Sequence, residues 1–252
     1  MQKIYEQIIK NIQKYFKKSG VHRAVVGVSG GIDSSLTLKL AVDALGPEKV
    51  TAISLPELGV SNAENTKHAK ILAEALEVTF FHQPINSMLI GFTQLPWKQS
   101  PIATQNNKAR MRMTIIYNYA NTENALVLGT SNKSEILLGY GTKHGDTACD
   151  LLPIGDLYKE EVVALADHVE LPREIIEKEP SAELHHGQTD KEDLGASYSE
   201  LDPILKRHDL GLNELIERGM SPTLVHNVLS RIDKNKHKSA APHIIKVKRE
   251  AE

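Results

Sequence analysis

AVVGVSGGIDSS, residues 24–35, is the stretch that decides the fold of this 252-residue chain. Its first five residues are an apolar run, which is typical of a strand buried in a parallel sheet. Gly30 and Gly31 end this strand in a tight turn, and a helix is predicted from Ser34 to Ala44. The order of strand, glycine turn and helix predicts the start of a βαβ unit.

The same alternation of strand and helix continues along the chain. An amphipathic helix is predicted over residues 1–18, because large apolar residues recur there at every fourth position. Further strands are predicted at Val50–Ser54, Val78–His82 and Ala125–Gly129, and further helices at Ala63–Leu76, near Ile85–Phe92, at Asn106–Ala120 and from about Lys159, with a loop around Pro96–Ala103. This alternation predicts an α/β fold with a doubly wound, Rossmann-like parallel sheet and flanking helices.

The composition is that of an ordinary soluble protein. With 40% hydrophobic and 25% charged residues, the chain is expected to form one domain over residues 1–252. No apolar run is long enough to cross a membrane and the N-terminus is unlike a signal peptide, so we expect a cytoplasmic protein with no membrane partner. A net charge of −2 argues against nucleic acid as a partner. Cys149 is the single cysteine, which excludes an intrachain disulfide and favours a packed small residue.

The turn Ser29–Ser35 predicts a phosphate site. Consecutive glycine N–H groups and the N-terminus of the following helix can surround an oxyanion. The Gly-Lys-Ser/Thr of a Walker loop and the three-glycine dinucleotide fingerprint do not occur here, so neither a kinase nor a dehydrogenase is favoured. The alternative is a plain strand-to-helix turn, capped by Asp33 or Ser34. A second predicted strand, Ala125–Gly129, also ends in a polar loop, so the site is expected between the two loops.

Ser-Gly-Gly-x-Asp-Ser resembles the loop of N-type ATP pyrophosphatases, which cleave ATP between its α and β phosphates. Further motifs follow in chain order, and together they are similar to ammonia-dependent NAD⁺ synthetase. They are Lys108-Ala109-Arg110-Met111-Arg112-Met113, Leu128-Gly129-Thr130-Ser131-Asn132-Lys133-Ser134-Glu135, Gly139-Tyr140-Gly141-Thr142-Lys143-His144-Gly145-Asp146, Cys149-Asp150-Leu151-Leu152-Pro153, Pro180-Ser181-Ala182-Glu183-Leu184, Gly187-Gln188-Thr189-Asp190 and His237-Lys238. The resemblance runs over nearly the whole chain and implies a sheet of the adenine nucleotide alpha hydrolase type.

The resemblance also implies roles for individual residues. Asp33 and Glu135 are expected to hold Mg²⁺ and, with Lys159, to form the catalytic set. The residues expected to contact ATP are Gly27, Val28, Ser29, Gly30, Gly31, Ile32, Asp33, Ser34, Thr130, Lys159 and Ser181. Those expected to bind deamido-NAD⁺ are Arg110, Lys143, Asp150, His237 and Lys238.

The implied reaction makes NAD⁺ in the last step of its biosynthesis. ATP would adenylate the nicotinate carboxylate of deamido-NAD⁺, and ammonia would then displace AMP. Because the motifs begin close to the N-terminus, no glutaminase domain is expected, and free or separately delivered ammonia is the implied nitrogen source. The resemblance further implies a homodimer. The rival functions are a tRNA-thiolating or GMP-forming enzyme with the same loop, and a non-catalytic nucleotide-binding regulator.

Several of these residues have simpler interpretations. Arg110 and Arg112 are two apart on a predicted helix, so they cannot both face one ligand, and Arg110 is the one we predict in the site. Lys159 could face solvent, and Glu135 could sit in a first helical turn favoured by the helix dipole. His185 and His186 lack a third metal ligand and predict a surface loop. The basic residues from Arg231 onward could serve an anionic ligand or form a solvated terminus. Gln94–Gln105 and His185–Asp190 are predicted to order on ligand binding.

Overall fold

A four-stranded parallel sheet forms the centre of the part of the chain that the structure describes. In this computed structural model the described residues are 1–181 and 187–247. The strands are β1 (Arg23–Gly27), β2 (Val50–Ser54), β3 (Thr79–His82) and β4 (Ala125–Leu128). Their order in the sheet is β3-β2-β1-β4, and every neighbouring pair is parallel. The chain thus builds the sheet outward from β1 in one direction and later adds β4 on the other side of β1.

The helices surround this sheet and continue beyond it. Those within the described residues are α1 (Gln2–Ser19), α2 (Ile32–Leu45), α3 (Ala63–Ala75), α4 (Asn86–Leu89), α5 (Pro101–Glu123), α6 (Lys133–Leu138), α7 (Lys159–His168), α8 (Arg173–Ile176), α9 (Asp190–Leu194), α10 (Tyr198–Leu205), α11 (Gly211–Glu217) and α12 (Pro222–Asn235). Short 3₁₀ helices lie at Pro47–Lys49, Ile90–Gln94, His208–Leu210 and Lys236–Lys238. Within that part of the chain, no helix combines the length and apolar character needed to cross a membrane.

Alternate residues of β1 enter two different hydrophobic cores. Ala24 and Val26 pack on the side of α1, α2 and α7, whereas Val25 packs on the other side against Met113 and Ile116 of α5. Because successive side chains of a strand point to opposite faces, an apolar run without alternation is what a sheet covered on both faces requires. The prediction of a doubly wound α/β sheet is therefore confirmed.

A third hydrophobic cluster lies in the C-terminal helices. Leu201 and Leu205 of α10 pack with Leu215 of α11 and with Val225 of α12. Leu138 of α6 belongs to the same cluster, so α6, which directly follows the loop after β4, joins these helices to the sheet.

Two predicted elements differ from the structure by more than one or two residues. Helix α5 begins at Pro101, so the predicted loop around Pro96–Ala103 is wrong over its last residues. Ser100 accepts a hydrogen bond from the N–H of Ala103 and caps the helix, and proline suits the first helical position because its missing N–H would be unpaired there anyway. The helix predicted near Ile85–Phe92 is divided into α4 and the 3₁₀ helix that follows it.

Candidate active site

A cavity of about 550 Å³ opens where β1 and β4 end. This is the point where the strand order reverses, and parallel α/β sheets bind ligands in the crevice there. Predicted site residues in its wall are Gly27, Val28, Ser29, Gly31, Ile32, Asp33, Ser34, Thr130, Glu135, Lys159, Ser181 and Lys238. The expected meeting of the two polar loops is thus observed.

The turn after β1 is held by its own serines. The Oγ of Ser34 accepts from the N–H of Ser29 at 3.2 Å and donates to the carbonyl of Gly31 at 3.1 Å. Gly31 is the N-cap residue of α2, and no side chain caps this end of the helix. The start of α2 therefore lies in the cavity wall without a side-chain cap, and its first N–H groups are donors that an oxyanion can satisfy.

Three charged side chains meet beside this turn. The Nζ of Lys159 lies 2.5 Å from Oδ2 of Asp33 and 3.9 Å from Oε1 of Glu135. The Lys159 side chain is only 5% exposed, so it does not face solvent. The Nδ2 of Asn132 donates to the other carboxylate oxygen of Asp33 at 2.9 Å. The structure thus brings together all three residues predicted to form the catalytic set.

Glu135 combines two roles that the sequence left as alternatives. It lies in the first turn of α6, where its Oε2 accepts from the N–H of Asn132 at 3.3 Å and completes a capping box. Its other oxygen is the one near Lys159. A capping position and a place in the charged cluster are therefore compatible.

A family model for NAD synthase matches residues 4–242. The chain belongs to the NAD synthase family. The family prediction is thereby confirmed.

Individual known proteins resemble the chain over nearly its full length. An NH(3)-dependent NAD(+) synthetase of Methanocaldococcus jannaschii is 44% identical, with 96% of each chain covered. The structure of an NH3-dependent NAD synthetase from Campylobacter jejuni superposes with a TM-score of 0.84 at 37% identity, covering 97% of this chain and 99% of that one. An NMN synthetase from Francisella tularensis gives a TM-score of 0.88 at 28% identity, with 98% of each chain covered.

Fewer of the residues predicted to bind deamido-NAD⁺ lie in the cavity wall than of those predicted to contact ATP. Lys238 lies in the cavity wall, where its Nζ donates to the carbonyls of Gly139 and Gly141 at 2.7 and 3.0 Å. Arg110 is exposed outside the wall, and its Nε donates to the carbonyl of Lys143 at 3.2 Å. His237 is also exposed and outside it.

The side chain of Asp150 forms a hydrogen bond with the backbone of the sheet. Its Oδ2 accepts from the N–H of Val127 in β4 at 2.8 Å, and its Oδ1 accepts from the hydroxyl of Tyr117 at 3.4 Å. Asp150 is not among the residues of the cavity wall. The neighbouring Cys149 is half-buried, as predicted for a packed residue, and burial raises the pKa of its thiol to about 11.

Arg112 is a cavity residue that our sequence interpretation missed. Its Nε donates to the carbonyl of Leu55 at 2.9 Å, and it lies in the cavity wall while Arg110 does not. A signal was present, because Ala109, Met113 and Ile116 form the buried face of α5 and Arg112 shares their helical spacing. Arg110 falls on the outer face of the same helix. The predicted loop at His185 and His186 lies outside the described residues.

The two carboxylates fit Mg²⁺ as a shared ligand set. Among residues 1–181 and 187–247, no group of three or more histidine, cysteine, aspartate or glutamate side chains forms a closed metal cage. Mg²⁺ is typically held by one or two carboxylates together with phosphate oxygens of a substrate, which matches Asp33 and Glu135 beside an anion-binding turn. Burial first, and then repulsion from Asp33, raise the pKa of Glu135 well above its ordinary value. A cation at this position would relieve that repulsion.

Glu135→Gln is expected to stabilise the ligand-free protein at neutral pH. Because the folded state raises the pKa of Glu135, it binds the proton more tightly than the unfolded chain does. The unfolding free energy of the parent protein therefore falls as pH rises above the ordinary glutamate pKa, which is about 4.3. Glutamine removes this decline, so thermal melts should favour the variant at pH 7 and show no such advantage at pH 4.

The matched control for this experiment is Glu200→Gln. Glu200 also completes a capping box, with Oε2 accepting from the N–H of Ser197 at 2.9 Å, but its hydrogen bonds to Ser197 lower its pKa. Its replacement should therefore give no gain in stability at neutral pH. If the melting temperatures of the parent and of Glu135→Gln depended on pH in the same way, the raised pKa of Glu135 would not be a cause of lower stability at neutral pH.

Proposed function

We propose that the protein makes NAD⁺ by adenylating the nicotinate carboxylate of deamido-NAD⁺ with ATP and amidating the adenylate with ammonia. The observation that carries this proposal is the buried contact of Lys159 with Asp33 and Glu135 beside the turn after β1. It places a fixed positive charge where the phosphates of a nucleotide held by that turn would lie. Membership in the NAD synthase family supplies the reaction class.

In the first step a carboxylate oxygen of the substrate attacks the α-phosphorus of ATP. A new bond forms between that oxygen and phosphorus, and the bond to the bridging oxygen of the β-phosphate breaks, releasing diphosphate. The N–H groups at the start of α2 hold the departing phosphates, and Lys159 offsets the charge that grows on them. Burial lowers the pKa of Lys159, but Asp33 and Glu135 raise it more, so the ammonium stays charged at neutral pH.

Magnesium belongs to the same proposal. Asp33 and Glu135 would hold it, and bound Mg²⁺ supplies positive charge that neutralises phosphate oxygens. The hydrogen bonds from Asn132 and Lys159 fix the orientation of the Asp33 carboxylate.

In the second step the ammonia nitrogen attacks the carbonyl carbon of the adenylate. The carbon–nitrogen bond forms, the bond to AMP breaks, and a proton leaves the nitrogen to give the amide. Water would compete with ammonia for the same carbonyl, so the cavity walls must exclude it. The relatives named NH(3)-dependent NAD(+) synthetase support ammonia as the nitrogen source, because the alignment with them spans nearly their whole length.

We assign the remaining predicted contacts on the resemblance of their motifs. Thr130 and Ser181 would contact ATP from the cavity wall. Arg110, Lys143, Asp150, His237 and Lys238 would bind deamido-NAD⁺. We also propose one synthetase domain over residues 1–252 and a cytoplasmic location, on the family match and the composition.

A homodimer would account for two surface features. Arg110 and His237 are exposed outside the cavity wall, so a substrate bridging them needs a further surface. Phe81 on the edge strand β3 and Met88 on α4 also expose large apolar side chains. We therefore propose that two copies associate and complete the substrate site. Light scattering that gives the mass of a single chain at assay concentration would contradict this.

The NMN synthetase similarity favours a second candidate substrate. That relative has a TM-score of 0.88, although its sequence identity of 28% is below the 44% of the Methanocaldococcus jannaschii synthetase. Nicotinate mononucleotide carries the same carboxylate as deamido-NAD⁺ on a smaller nucleotide. The two candidates share the chemistry and differ only in the part of the substrate that lies away from the reacting carboxylate.

The deciding experiment is a turnover assay on the purified protein. ATP, Mg²⁺, deamido-NAD⁺ and ammonium are expected to give NAD⁺, AMP and diphosphate in equal amounts. A second arm replaces deamido-NAD⁺ with nicotinate mononucleotide, and a third replaces ammonium with glutamine. Absence of both NAD⁺ and AMP would reject the proposal. Preference for the mononucleotide would make nicotinate mononucleotide the proposed substrate. Activity with glutamine alone would reject free ammonia as the nitrogen donor.

A further inference from the structure

A buried carboxylate lies directly behind the catalytic lysine. Asp202 of α10 is 0% exposed. Its Oδ1 accepts from the hydroxyl of Ser134 at 2.5 Å, and its Oδ2 accepts from the backbone N–H of Glu160 at 3.0 Å. Each oxygen of this carboxylate is thus committed to one donor, and the two donors come from different helices.

Ser134 links Asp202 to the backbone of Lys159. Its Oγ accepts from the backbone N–H of Lys159 at 3.0 Å while it donates to Asp202. Asp202 and Ser134 therefore satisfy the first two N–H groups of α7. The residue before this helix is Tyr158, whose ring carries no oxygen close enough to the backbone to act as the usual short polar cap. The start of α7 is capped by these remote residues and by Glu161, whose Oε2 accepts from the N–H of Tyr158 at 2.8 Å.

A backbone hydrogen bond also joins the start of α6 to the residues before α7. Ser134 immediately precedes Glu135, and the N–H of Lys133 donates to the carbonyl of Leu157 at 2.8 Å. The first turns of α6 and α7 are consequently tied to each other. These two turns carry Glu135 and Lys159, whose side chains meet each other, and Lys159 also contacts Asp33.

We propose that Asp202 is a positioning residue for adenylation: through Ser134 it fixes the first turns of α6 and α7, so that Lys159 meets Asp33 and Glu135 in one geometry. This inference rests on the proposed function. A displacement of about 1 Å in a catalytic group can lower a rate by about 100-fold, so such an anchor would be visible in turnover.

The carboxylate is difficult to replace in this role. It accepts from two donors at once, whereas an asparagine would direct its NH₂ group at one of them and leave that donor unpaired. Burial raises the pKa of Asp202, because the charged form loses its hydration there. For packing alone, an apolar side chain of similar volume would serve as well or better.

The test compares Asp202→Asn, Ser134→Ala and the double variant with the parent protein. Adenylation is followed by exchange of labelled diphosphate into ATP in the presence of Mg²⁺ and deamido-NAD⁺, without ammonium. We expect each single change to lower kcat by roughly 30-fold and to change the KM for ATP by no more than about twofold. Because both residues belong to one link, the double variant should lose about as much as a single one.

Thr51→Val provides a matched control for stability. Thr51 is 9% exposed, and its Oγ1 shares a hydrogen bond with the hydroxyl of Tyr119 at 2.9 Å, away from the cavity wall. Its replacement by valine also removes one part-buried side-chain hydrogen bond. The melting temperature should therefore fall by about as much as in the Asp202 and Ser134 variants, while kcat stays at the parent value.

The outcomes separate this inference from the proposed function. Exchange by the parent and by folded Asp202→Asn with the same kcat would overturn the positioning role. If Asp202→Asn does not fold, Ser134→Ala decides, because it keeps the carboxylate: a lowered kcat supports the role and an unchanged kcat overturns it. A parent protein that neither exchanges diphosphate nor makes NAD⁺ overturns the proposed function, and this inference with it.

Discussion

Lys159→Met is expected to lower kcat by about 1,000-fold, with the variant still folded. The lysine ammonium is nearly fully buried and lies 2.5 Å from Asp33. The same ammonium also forms an ion pair with Glu135 at 3.9 Å. Since catalysis depends on charge fixed before the phosphates develop theirs, a neutral side chain of similar length removes that contribution without opening a large void.

The effect should appear mainly in kcat. The turn after β1 still offers its N–H groups to the phosphates, so binding of ATP is retained in part. Lys206→Met is the matched control, because Lys206 pairs with Glu160 at 3.1 Å on the surface beside the same helix. An exposed pair of this kind contributes at most about 1 kcal/mol, so the control should keep nearly all activity. Equal activity of Lys159→Met and the parent would remove the basis of the proposed mechanism.

Gly30→Ala is expected to abolish nucleotide binding or to prevent folding. A Cβ at this position would lie 2.0 Å from the carbonyl oxygen of Asn65 in α3, far inside contact distance with backbone that cannot move alone. Gly30 also has a φ of +85°, a region that disfavours any side chain by about 1–2 kcal/mol. The turn and α3 would have to separate, and the N–H groups that we propose bind phosphate would move with them. Titration calorimetry with ATP and Mg²⁺ measures the loss, which we expect to exceed roughly 100-fold in Kd.

Gly59→Ala separates the collision from the backbone strain. Gly59 has a φ of +87°, close to that of Gly30, but nothing lies within 4 Å of a Cβ placed there. This control should lose only the stability that a side chain costs at positive φ, and it should still bind ATP. If both variants bound ATP with the affinity of the parent, close packing of α3 would not be a requirement of the turn.

Local sequence patterns were sufficient to predict the fold. The apolar run before Ser29 gave the central strand because a sheet covered on both faces needs apolar residues at every position. The predicted strand Val50–Ser54 has the observed bounds. The error at α5 arose because Pro101 was interpreted as a loop residue, although proline preceded by a serine cap also begins helices.

The candidate site was predictable only where a motif marks it. Asp33, Glu135 and Lys159 were found through their motifs, and the structure brings them together. Arg112 was missed because the choice between two arginines was made without the helical phase of α5. Asp202 had no local signal, since its partners Ser134 and Glu160 are distant in sequence and only tertiary packing brings them together.

The position of β1 between β2 and β4 has a consequence for synthesis of the protein. Arg23 pairs with Ala125, so the central strand remains unpaired on one side until the ribosome has delivered all of the intervening chain. Pairing between such distant segments is slow to form. Lys159 emerges later still, and until then Asp33 and Glu135 lack their counter-charge. A nascent chain is therefore expected to become able to bind nucleotide only late in translation.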